Sequence, residues 1–178
     1  MSRYAPIEIL TSEHDLSAFD CGSSAQTTWL RERALQAQQA YTSRAYVECP
    51  TGSRRVVGYY ALAAGSIEAA ASPARLARGA GRYAIPVVLL ARLGVDLAEQ
   101  GRGLGGALVR DALLQTTWIA DRLGVRALLI HAQDDGAVAF YRHISEAFEP
   151  SPTDPLHLVL LLKDLRRAVS AAGGRRAR

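Results

Sequence analysis

The 178-residue chain has few of the residues that cross-link a fold or anchor it in a membrane. Its only cysteines are Cys21 and Cys49, and neither belongs to a C-x-x-C pair or a His/Cys cluster. We therefore expect no disulfide framework and no metal site. No apolar run approaches the ~20 residues of a membrane-spanning helix, and residues 1–6 lack the apolar core of a secretion signal. These absences predict a cytoplasmic protein.

Lysine is also nearly absent, because Lys163 is the only one and arginine supplies the remaining basic charge. The net charge of +4 is unevenly spread: residues 31–92 carry +6, residues 93–162 carry −4, and the segment from Lys163 onward carries +5. A guanidinium group binds phosphate through two parallel hydrogen bonds. The first half therefore suits a phosphate-bearing partner, although a solvated arginine-rich surface explains the same composition.

What the chain does contain is the material of an ordinary globular domain. Hydrophobic residues make up 49% of it, mean hydropathy is +0.01, and the length fits one domain. Hydrophobic periods of helices and strands alternate along the chain, which predicts an α/β or α+β fold. We expect one domain over residues 1–165, followed by a basic, flexible tail over residues 166–178.

The second half of the chain gives the clearest pattern. The segments predicted as strands are 6–10, 44–49, 56–63, 87–95, 127–132 and 156–162. Helices are predicted from Thr11 or Ser12 to Phe19, after an N-cap at Ser23 or Ser24, from Leu104 to a C-cap at Gly124, and over residues 135–143.

A glycine-rich turn, residues 100–106, connects a predicted buried strand to the long helix. Backbone N–H groups at such a helix start bind anions. The turn lacks the lysine of a Walker A loop. The spacing Gly101-x-Gly103-x-x-Gly106 matches a dinucleotide fingerprint, but the acidic residue expected ~20 positions later, Asp121, falls inside the helix. A turn whose glycines only permit a tight connection stays a possible interpretation.

The turn also resembles a known signature, because Gln100-x-x-Gly103-x-Gly105 is similar to the acyl-CoA pyrophosphate motif of the GNAT acetyltransferase superfamily. The resemblance extends in order over residues 6–162 to the GNAT-type toxins of bacterial type II toxin–antitoxin modules. The similar segments are 19–22, 57–62, 93–96, 126–132, 140–141 and 150–152.

The resemblance implies a GNAT fold, with a mixed, mostly antiparallel twisted sheet that splays at its middle between flanking helices. It implies an enzyme that uses acetyl-CoA to acetylate the α-amino group of aminoacyl-tRNA and so stops translation. It further implies a cognate ribbon-helix-helix antitoxin and a homodimer. The residues expected to bind acetyl-CoA are Leu93, Val95, Gln100, Gly101, Arg102, Gly103, Gly105 and Gly106.

Tyr141 stands where the family places the general acid that protonates the leaving thiolate. A phenol with a reference pKa of ~10 is protonated at neutral pH, so it can do this. An α-amino group with a reference pKa of ~8 needs no strong base. His131 could relay a proton or serve only the structure, and the Tyr141 ring could likewise serve only packing.

Phosphate contacts to tRNA are expected from Arg31, Arg33 and Arg92. Two other functions remain open on the sequence: acetylation of a small amine or a protein N-terminus, and a non-catalytic RNA-binding module. The sequence does not specify which aminoacyl-tRNA is used.

The chain departs from the family pattern after Tyr141. The family usually places Gly-Phe three residues after the Phe-Tyr pair, whereas here two extra residues precede Phe148, and Ala147 stands in place of the glycine. We therefore expect a locally different turn at the acceptor edge of the site.

Overall fold

The computed structural model describes residues 3–174, with side chains as far as residue 170. In this part of the chain, seven strands form a sheet of order β1-β2-β3-β4-β5-β7-β6. The strands are β1 (Glu8–Ile9), β2 (Arg44–Glu48), β3 (Gly58–Ile67), β4 (Ile85–Val95), β5 (Ala127–His131), β6 (Glu149–Pro150) and β7 (His157–Leu161). The α-helices are α1 (Ser24–Glu32), α2 (Ala34–Gln39), α3 (Ala74–Ala77), α4 (Leu104–Ala120), α5 (Asp135–Ile144) and α6 (Leu162–Gly174). Short 3-10 helices cover Ala69–Ala71 and Leu97–Glu99.

The chain groups into two compact units, and β3, β4 and α4 each run from one unit into the other. The first unit is Met1–Ala63 with Ala91–Ala112, and the second is Ala64–Leu90 with Leu113–Arg178. A single domain over residues 1–165 stays a prediction.

The first unit is built on three antiparallel strands. β1 pairs with β2 through Glu8↔Val47, and β2 pairs with β3 from Arg44↔Leu62 to Glu48↔Gly58. Helices α1 and α2 contribute to a core whose members are at most 5% exposed. These members are Leu10, Phe19, Leu30, Ala34, Ala45, Val47, Cys49, Val56 and Tyr59. Ser23 caps α1 as expected, since its side chain accepts from the Gln26 N–H.

The second unit carries the parallel pairing. β4 pairs with β5 from Val87↔Ala127 to Leu90↔Ile130, whereas β7 pairs antiparallel with both β5 and β6. The predicted mixed, mostly antiparallel sheet is therefore confirmed. The apolar cluster of the second unit contains Ile67, Leu76, Ile85, Val87, Ala127, Leu129, Val159 and Leu161.

The helix predicted from Thr11 to Phe19 is wrong, because the segment forms turns instead. Its side chains bind the backbone that a helix would use. The Thr11 N–H donates to Nδ1 of His14 at 3.0 Å, and the Ser17 N–H donates to the Asp15 carboxylate at 3.0 Å. Short polar side chains compete with helical hydrogen bonds in this way.

The C-cap predicted at Gly124 is also wrong, since α4 ends at Ala120. The guanidinium of Arg122 lies 4.0 Å from the Trp118 ring centroid and donates to the Trp118 carbonyl at 3.0 Å. A side chain thus satisfies a carbonyl in the last turn, where the prediction required a glycine.

Within the tail predicted from residue 166, residues 166–174 belong to α6. Two contacts hold this helix: Leu165 is fully buried, and Arg166 forms a 2.7 Å ion pair with Asp121. Residues 175–178 lie outside the described residues, and for them the tail stays a prediction.

Candidate active site

The glycine turn is held in place by the residues that precede it. Strand β4 ends at Val95, and the next two backbone N–H groups donate to neighbouring segments: Asp96 to the Val57 carbonyl at 2.9 Å and Leu97 to the Asp20 carbonyl at 2.8 Å. The buried Asp96 carboxylate accepts from the Ala98 N–H at 3.0 Å and so caps the 3-10 helix. The chain therefore enters the turn in a fixed direction.

Gln100 fastens the turn from its other side. Its side-chain amide donates to the Val95 carbonyl at 3.0 Å and to the Cys21 carbonyl at 3.2 Å. An amide nitrogen carries two hydrogens, and both are used here. The Gln100 side chain thus positions the turn, and it has no further N–H to donate to a ligand.

Gly101 and Gly103 give the turn its open surface. Both have left-handed backbones, with φ of 74° and 86°, and a Cβ at either position would meet no described atom within 4 Å. The space above them is free for a ligand to approach the backbone. Helix α4 begins at Leu104, so Gly105 and Gly106 lie in its first turn, where N–H groups have no partner within the helix. This arrangement suits a phosphate.

Positive charge surrounds the start of this turn. The buried Glu99 carboxylate accepts from the Tyr4 hydroxyl at 2.7 Å and pairs with Arg3, Arg55 and Arg102 at 3.4, 3.8 and 3.4 Å. The Tyr4 hydrogen bond, followed by the nearby guanidinium groups, lowers the pKa of Glu99. Three guanidinium groups around one carboxylate leave a positive excess, which favours an anionic ligand.

The end of β4 is fixed by a glycine that the sequence prediction passed over. Gly94 lies between Leu93 and Val95, and a Cβ there would lie 2.8 Å from the Tyr59 ring. Tyr59 is itself held, since its hydroxyl donates to the Gln26 carbonyl at 2.8 Å. Because Leu93 and Val95 flank this contact, their backbone groups are rigidly placed.

Arg92 lies against helix α1. Its guanidinium carbon is 5.6 Å from the centre of the Trp29 ring, which stacks on Tyr59 at 5.9 Å. Helical spacing in the sequence carries no signal for this contact between Arg92 and Trp29. Arg31 and Arg33, near the end of α1, are exposed, and neither pairs with an acidic side chain among the described residues.

Tyr141 lies in the second unit, on helix α5. Asp134 caps this helix by accepting from the Ala137 N–H at 2.8 Å. Tyr141 is 6% exposed and touches the Phe140 and Phe148 rings, with centroid distances of 5.2 and 6.1 Å. Burial raises the pKa of the Tyr141 phenol, because the ionised form would lose its hydration. The phenol is therefore neutral at physiological pH.

The unusual spacing after Tyr141 is accommodated by Ser145. Its N–H donates to the Tyr141 carbonyl at 3.1 Å, its carbonyl accepts from Phe148 and its hydroxyl accepts from the Ala147 N–H, each at 3.3 Å. The turn needs no left-handed residue at Ala147, because Tyr41 is the only non-glycine residue with positive φ in the described chain. Tyr141 stays in the helix, and a difference from the family's turn stays a prediction.

The contacts of His131 give no support for a role as a proton relay. Its ring stacks on that of His157 with centroids 3.9 Å apart, and His157 pairs with Asp154 at 3.4 Å. Burial, followed by the neighbouring His157, lowers the pKa of His131. The contact is explained by the cross-strand pair His131↔His157 between β5 and β7.

The predicted residues thus fall into two groups, each described within its own unit. The first unit holds all eight residues expected to bind acetyl-CoA together with Arg31, Arg33 and Arg92, and the second holds Tyr141. Among residues 3–170, no cluster of three or more His, Cys, Asp or Glu side chains could bind a metal. No helix in the described chain has the length and apolar character needed to span a bilayer.

Two proteins of known type are similar to the chain over most of its length, whereas no protein-family model matches it. A tRNA-acetylating toxin of Mycobacterium tuberculosis is 46% identical over 169 residues, which is 95% of this chain and 99% of that protein. The probable toxin TacT of Sinorhizobium fredii is 30% identical over 163 residues, covering 87% of this chain and 89% of the relative.

Solved structures show the same similarity. AtaT complexed with acetyl-methionyl-tRNAfMet is 30% identical with a TM-score of 0.83, and the match covers 92% of this chain and 98% of that one. A tyrosine-to-phenylalanine mutant of AtaT bound to the C-terminus of the antitoxin AtaR and to acetyl-CoA is 30% identical with a TM-score of 0.78. That match covers 93% and 98% of the two chains.

Proposed function

Because the chain belongs to the GNAT-type tRNA-acetylating toxins, we propose that it transfers the acetyl group of acetyl-CoA to the α-amino group of an aminoacyl-tRNA. The observation that carries this assignment is the glycine turn, whose open left-handed glycines lie at the start of α4 beside the arginines around Glu99. Acylation of the charged tRNA stops its use in translation, which makes the protein a toxin.

Acetyl-CoA supplies the activated acetyl thioester. Its pyrophosphate binds the backbone of Gly101, Gly103, Gly105 and Gly106, with Arg102 adding positive charge and Gln100 holding the loop. Backbone N–H groups near Leu93 and Val95 receive the acetyl carbonyl, because the adjacent Gly94 fixes that strand end against Tyr59. Donors placed in advance stabilise the oxyanion that forms on this carbonyl.

The transfer needs one acid and little help from a base. The neutral α-amine attacks the acetyl carbon, the new C–N bond forms, and the C–S bond breaks. Tyr141 donates its phenolic proton to the leaving sulfur, which it can do because the phenol is neutral at physiological pH. The amine releases its own proton to solvent, which restores the proton balance once Tyr141 is reprotonated.

Arg31, Arg33 and Arg92 contact the tRNA phosphates. Arg31 and Arg33 are exposed on α1 and in its C-cap, and Arg92 is oriented by Trp29 on the same helix. Phosphate contacts position a nucleic acid without reading its sequence, so these residues do not select the amino acid.

The remaining assignments follow from the substrate and the family. A cognate antitoxin of the ribbon-helix-helix type neutralises the protein, and charged tRNA places the reaction in the cytoplasm. A homodimer stays a prediction from the family resemblance.

The direct test is incubation of the full-length protein with acetyl-CoA and total charged tRNA, followed by mass spectrometry of the aminoacyl-adenosine products. We expect one or more of them to gain an acetyl group on the α-amine, and their masses identify the amino acid. Uncharged tRNA is the control and should remain unmodified. Acetylation of free amines or protein N-termini, with charged tRNA untouched, would refute the proposal.

A further inference from the structure

The turn between α2 and β2 contains a tyrosine at a backbone position that favours glycine. Tyr41 has φ of 58°, the left-handed region, where bulky side chains are outliers. The Thr42 N–H donates to the Ala37 carbonyl at 3.0 Å, and the Tyr41 N–H donates to the Gln38 carbonyl at 3.2 Å. This is the Schellman pattern that ends a helix, and its left-handed residue is usually glycine. The fold would therefore accept glycine here at lower cost.

Packing of the Tyr41 side chain offsets little of the conformational strain at this position. It is 88% exposed, so its ring stays in solvent. A strained residue whose side chain does not stabilise the core motivates a hypothesis of function outside the fold. For Tyr41, a contact with another molecule is such a hypothesis.

The surroundings of Tyr41 identify the class of that molecule. Residues 33–47, between the exposed Glu32 and the buried Glu48, contain two arginines and no acidic residue. Their exposed members are Arg33, Gln36, Gln39, Ala40, Tyr41, Thr42 and Arg44. An aromatic ring among cations and neutral hydrogen-bonding groups, without a carboxylate, is the composition that binds single-stranded nucleic acid.

The position of Tyr41 separates it from the acetyl-CoA turn within the same unit. The turn follows Asp96, whose N–H donates to the Val57 carbonyl next to the Glu48↔Gly58 pair. Tyr41 precedes Arg44, at the opposite end of β2. Four residue steps separate the ends of β2, which is ~13 Å at the usual strand rise. The nucleotide part of acetyl-CoA is therefore not the ligand of Tyr41.

We propose that the Tyr41 ring stacks on an unpaired base of the tRNA 3′ end, with Arg33 and Arg44 contacting the adjoining phosphates. This inference rests on the proposed function. The 3′ end is the single-stranded segment nearest to the reacting amine, because it carries the aminoacyl group. Tyr41 is thus a substrate-positioning residue. It lowers the stability of the fold and raises the affinity for the substrate.

The test compares Tyr41→Gly and Tyr41→Asn, which fit the left-handed backbone but lack the ring, with Tyr41→Trp, which keeps an aromatic ring. For the first two we expect a higher urea midpoint of unfolding and a KM for aminoacyl-tRNA raised on the order of tenfold, the scale of one base stack. The kcat and the KM for acetyl-CoA should stay unchanged. Tyr41→Trp should retain the wild-type KM for tRNA.

Tyr83, which is 84% exposed in the second unit, provides the matched control, and Tyr83→Gly should leave the KM for tRNA unchanged. An acceptor-stem minihelix with a single-stranded 3′ end should show the same Tyr41 effect as full tRNA. An unchanged KM in Tyr41→Gly, or a loss of stability, would overturn the inference. So would weaker self-association or antitoxin binding with the KM for tRNA unaffected, because the ring would then serve a protein contact. If the wild type acetylates no aminoacyl-tRNA, the proposed function itself fails.

Discussion

The glycine turn of the first unit and helix α5 of the second prepare their functional groups in opposite ways. In the turn, Gly101 and Gly103 have no side chain and expose the backbone. The Gln100 side chain donates both amide hydrogens to backbone carbonyls. On α5, one buried side chain, Tyr141, is the proposed functional group, and burial raises the pKa of its phenol further above neutral pH. In the proposed function, binding of acetyl-CoA thus depends on backbone shape, whereas proton transfer depends on a single oxygen atom.

Replacing that oxygen gives the largest expected effect. In Tyr141→Phe the ring keeps its contacts with Phe140 and Phe148, so the fold and acetyl-CoA binding should persist. We expect kcat to fall by roughly 10²- to 10⁴-fold, the usual contribution of general acid catalysis. Initial rates at saturating acetyl-CoA and charged tRNA measure it. Tyr83→Phe, at an exposed tyrosine, is the control. A near-normal kcat in Tyr141→Phe would show that Tyr141 is not the general acid.

Changing the backbone shape should affect binding instead. Gly103→Val places a side chain where the phosphate approaches and strains a φ of 86°. We expect the KM for acetyl-CoA to rise by about tenfold or more, with a smaller change in kcat. Gly79→Ala in the second unit, also left-handed with open space around it, is the control for backbone strain outside the turn. Equal losses in both variants would indicate a folding defect rather than a lost phosphate contact.

Loosening the turn without blocking it should have a smaller effect. Gln100→Ala removes the hydrogen bonds to the Val95 and Cys21 carbonyls, each worth ~1 kcal/mol net. We expect a several-fold weaker affinity for acetyl-CoA by calorimetry, with kcat nearly unchanged. Gln100→Glu should bind more weakly still, since a carboxylate would face two carbonyl oxygens. Wild-type affinity in Gln100→Ala would show that Asp96 and the glycines alone position the turn.

A second buried acidic group tests whether burial has the same consequence in the first unit as on α5. Burial, with a smaller contribution from Asp111, raises the pKa of Glu48 to about 7, and one Glu48 oxygen has no hydrogen-bond partner among the described residues. The unfolded chain ionises Glu48 near pH 4.5 and the folded protein only near 7, so this group makes stability fall as the pH rises across that window.

Glu48→Gln should remove the fall in stability that the ionisation of Glu48 causes as the pH rises. We expect the variant to gain on the order of 1–2 kcal/mol relative to wild type between pH 5 and pH 8, measured from urea unfolding. Glu32→Gln on the exposed face of α1 is the control and should show no such trend. If the wild type and Glu48→Gln respond to pH in parallel, Glu48 is ionised in the folded protein.

Much of the fold could be predicted because its signals are local. The strands around residues 44–48, 85–95 and 127–131 and the cap at Ser23 follow from periodicity and capping chemistry within a few residues. The failures have a different origin. The side chains of His14 and Asp15 bind backbone N–H groups that a helix would use, and Arg122 ends α4 through Trp118, so the local pattern was overridden by side-chain contacts.

The site divides in the same way. The residues of the glycine turn and Tyr141 are identifiable from spacing and from resemblance, because their chemistry requires particular residue types. The roles of Gln100 and Gly94 were missed, since each depends on a segment distant in sequence: Gln100 binds Cys21, and Gly94 lies against Tyr59. No sequence signal identified the strain at Tyr41, because backbone φ is not encoded in residue type.

The sequence by itself determined the sites of chemistry: few cysteines, one lysine, an arginine-rich first half, an open glycine turn and a tyrosine on a helix after a buried strand. Only the tertiary structure decided the surroundings and the orientation of these groups. Burial of Tyr141 sets its pKa, the Cys21 and Val95 carbonyls hold the Gln100 amide, and the end of α2 places Tyr41 in a left-handed turn. Residue type is local information, whereas desolvation and hydrogen-bond partners are supplied by distant parts of the chain.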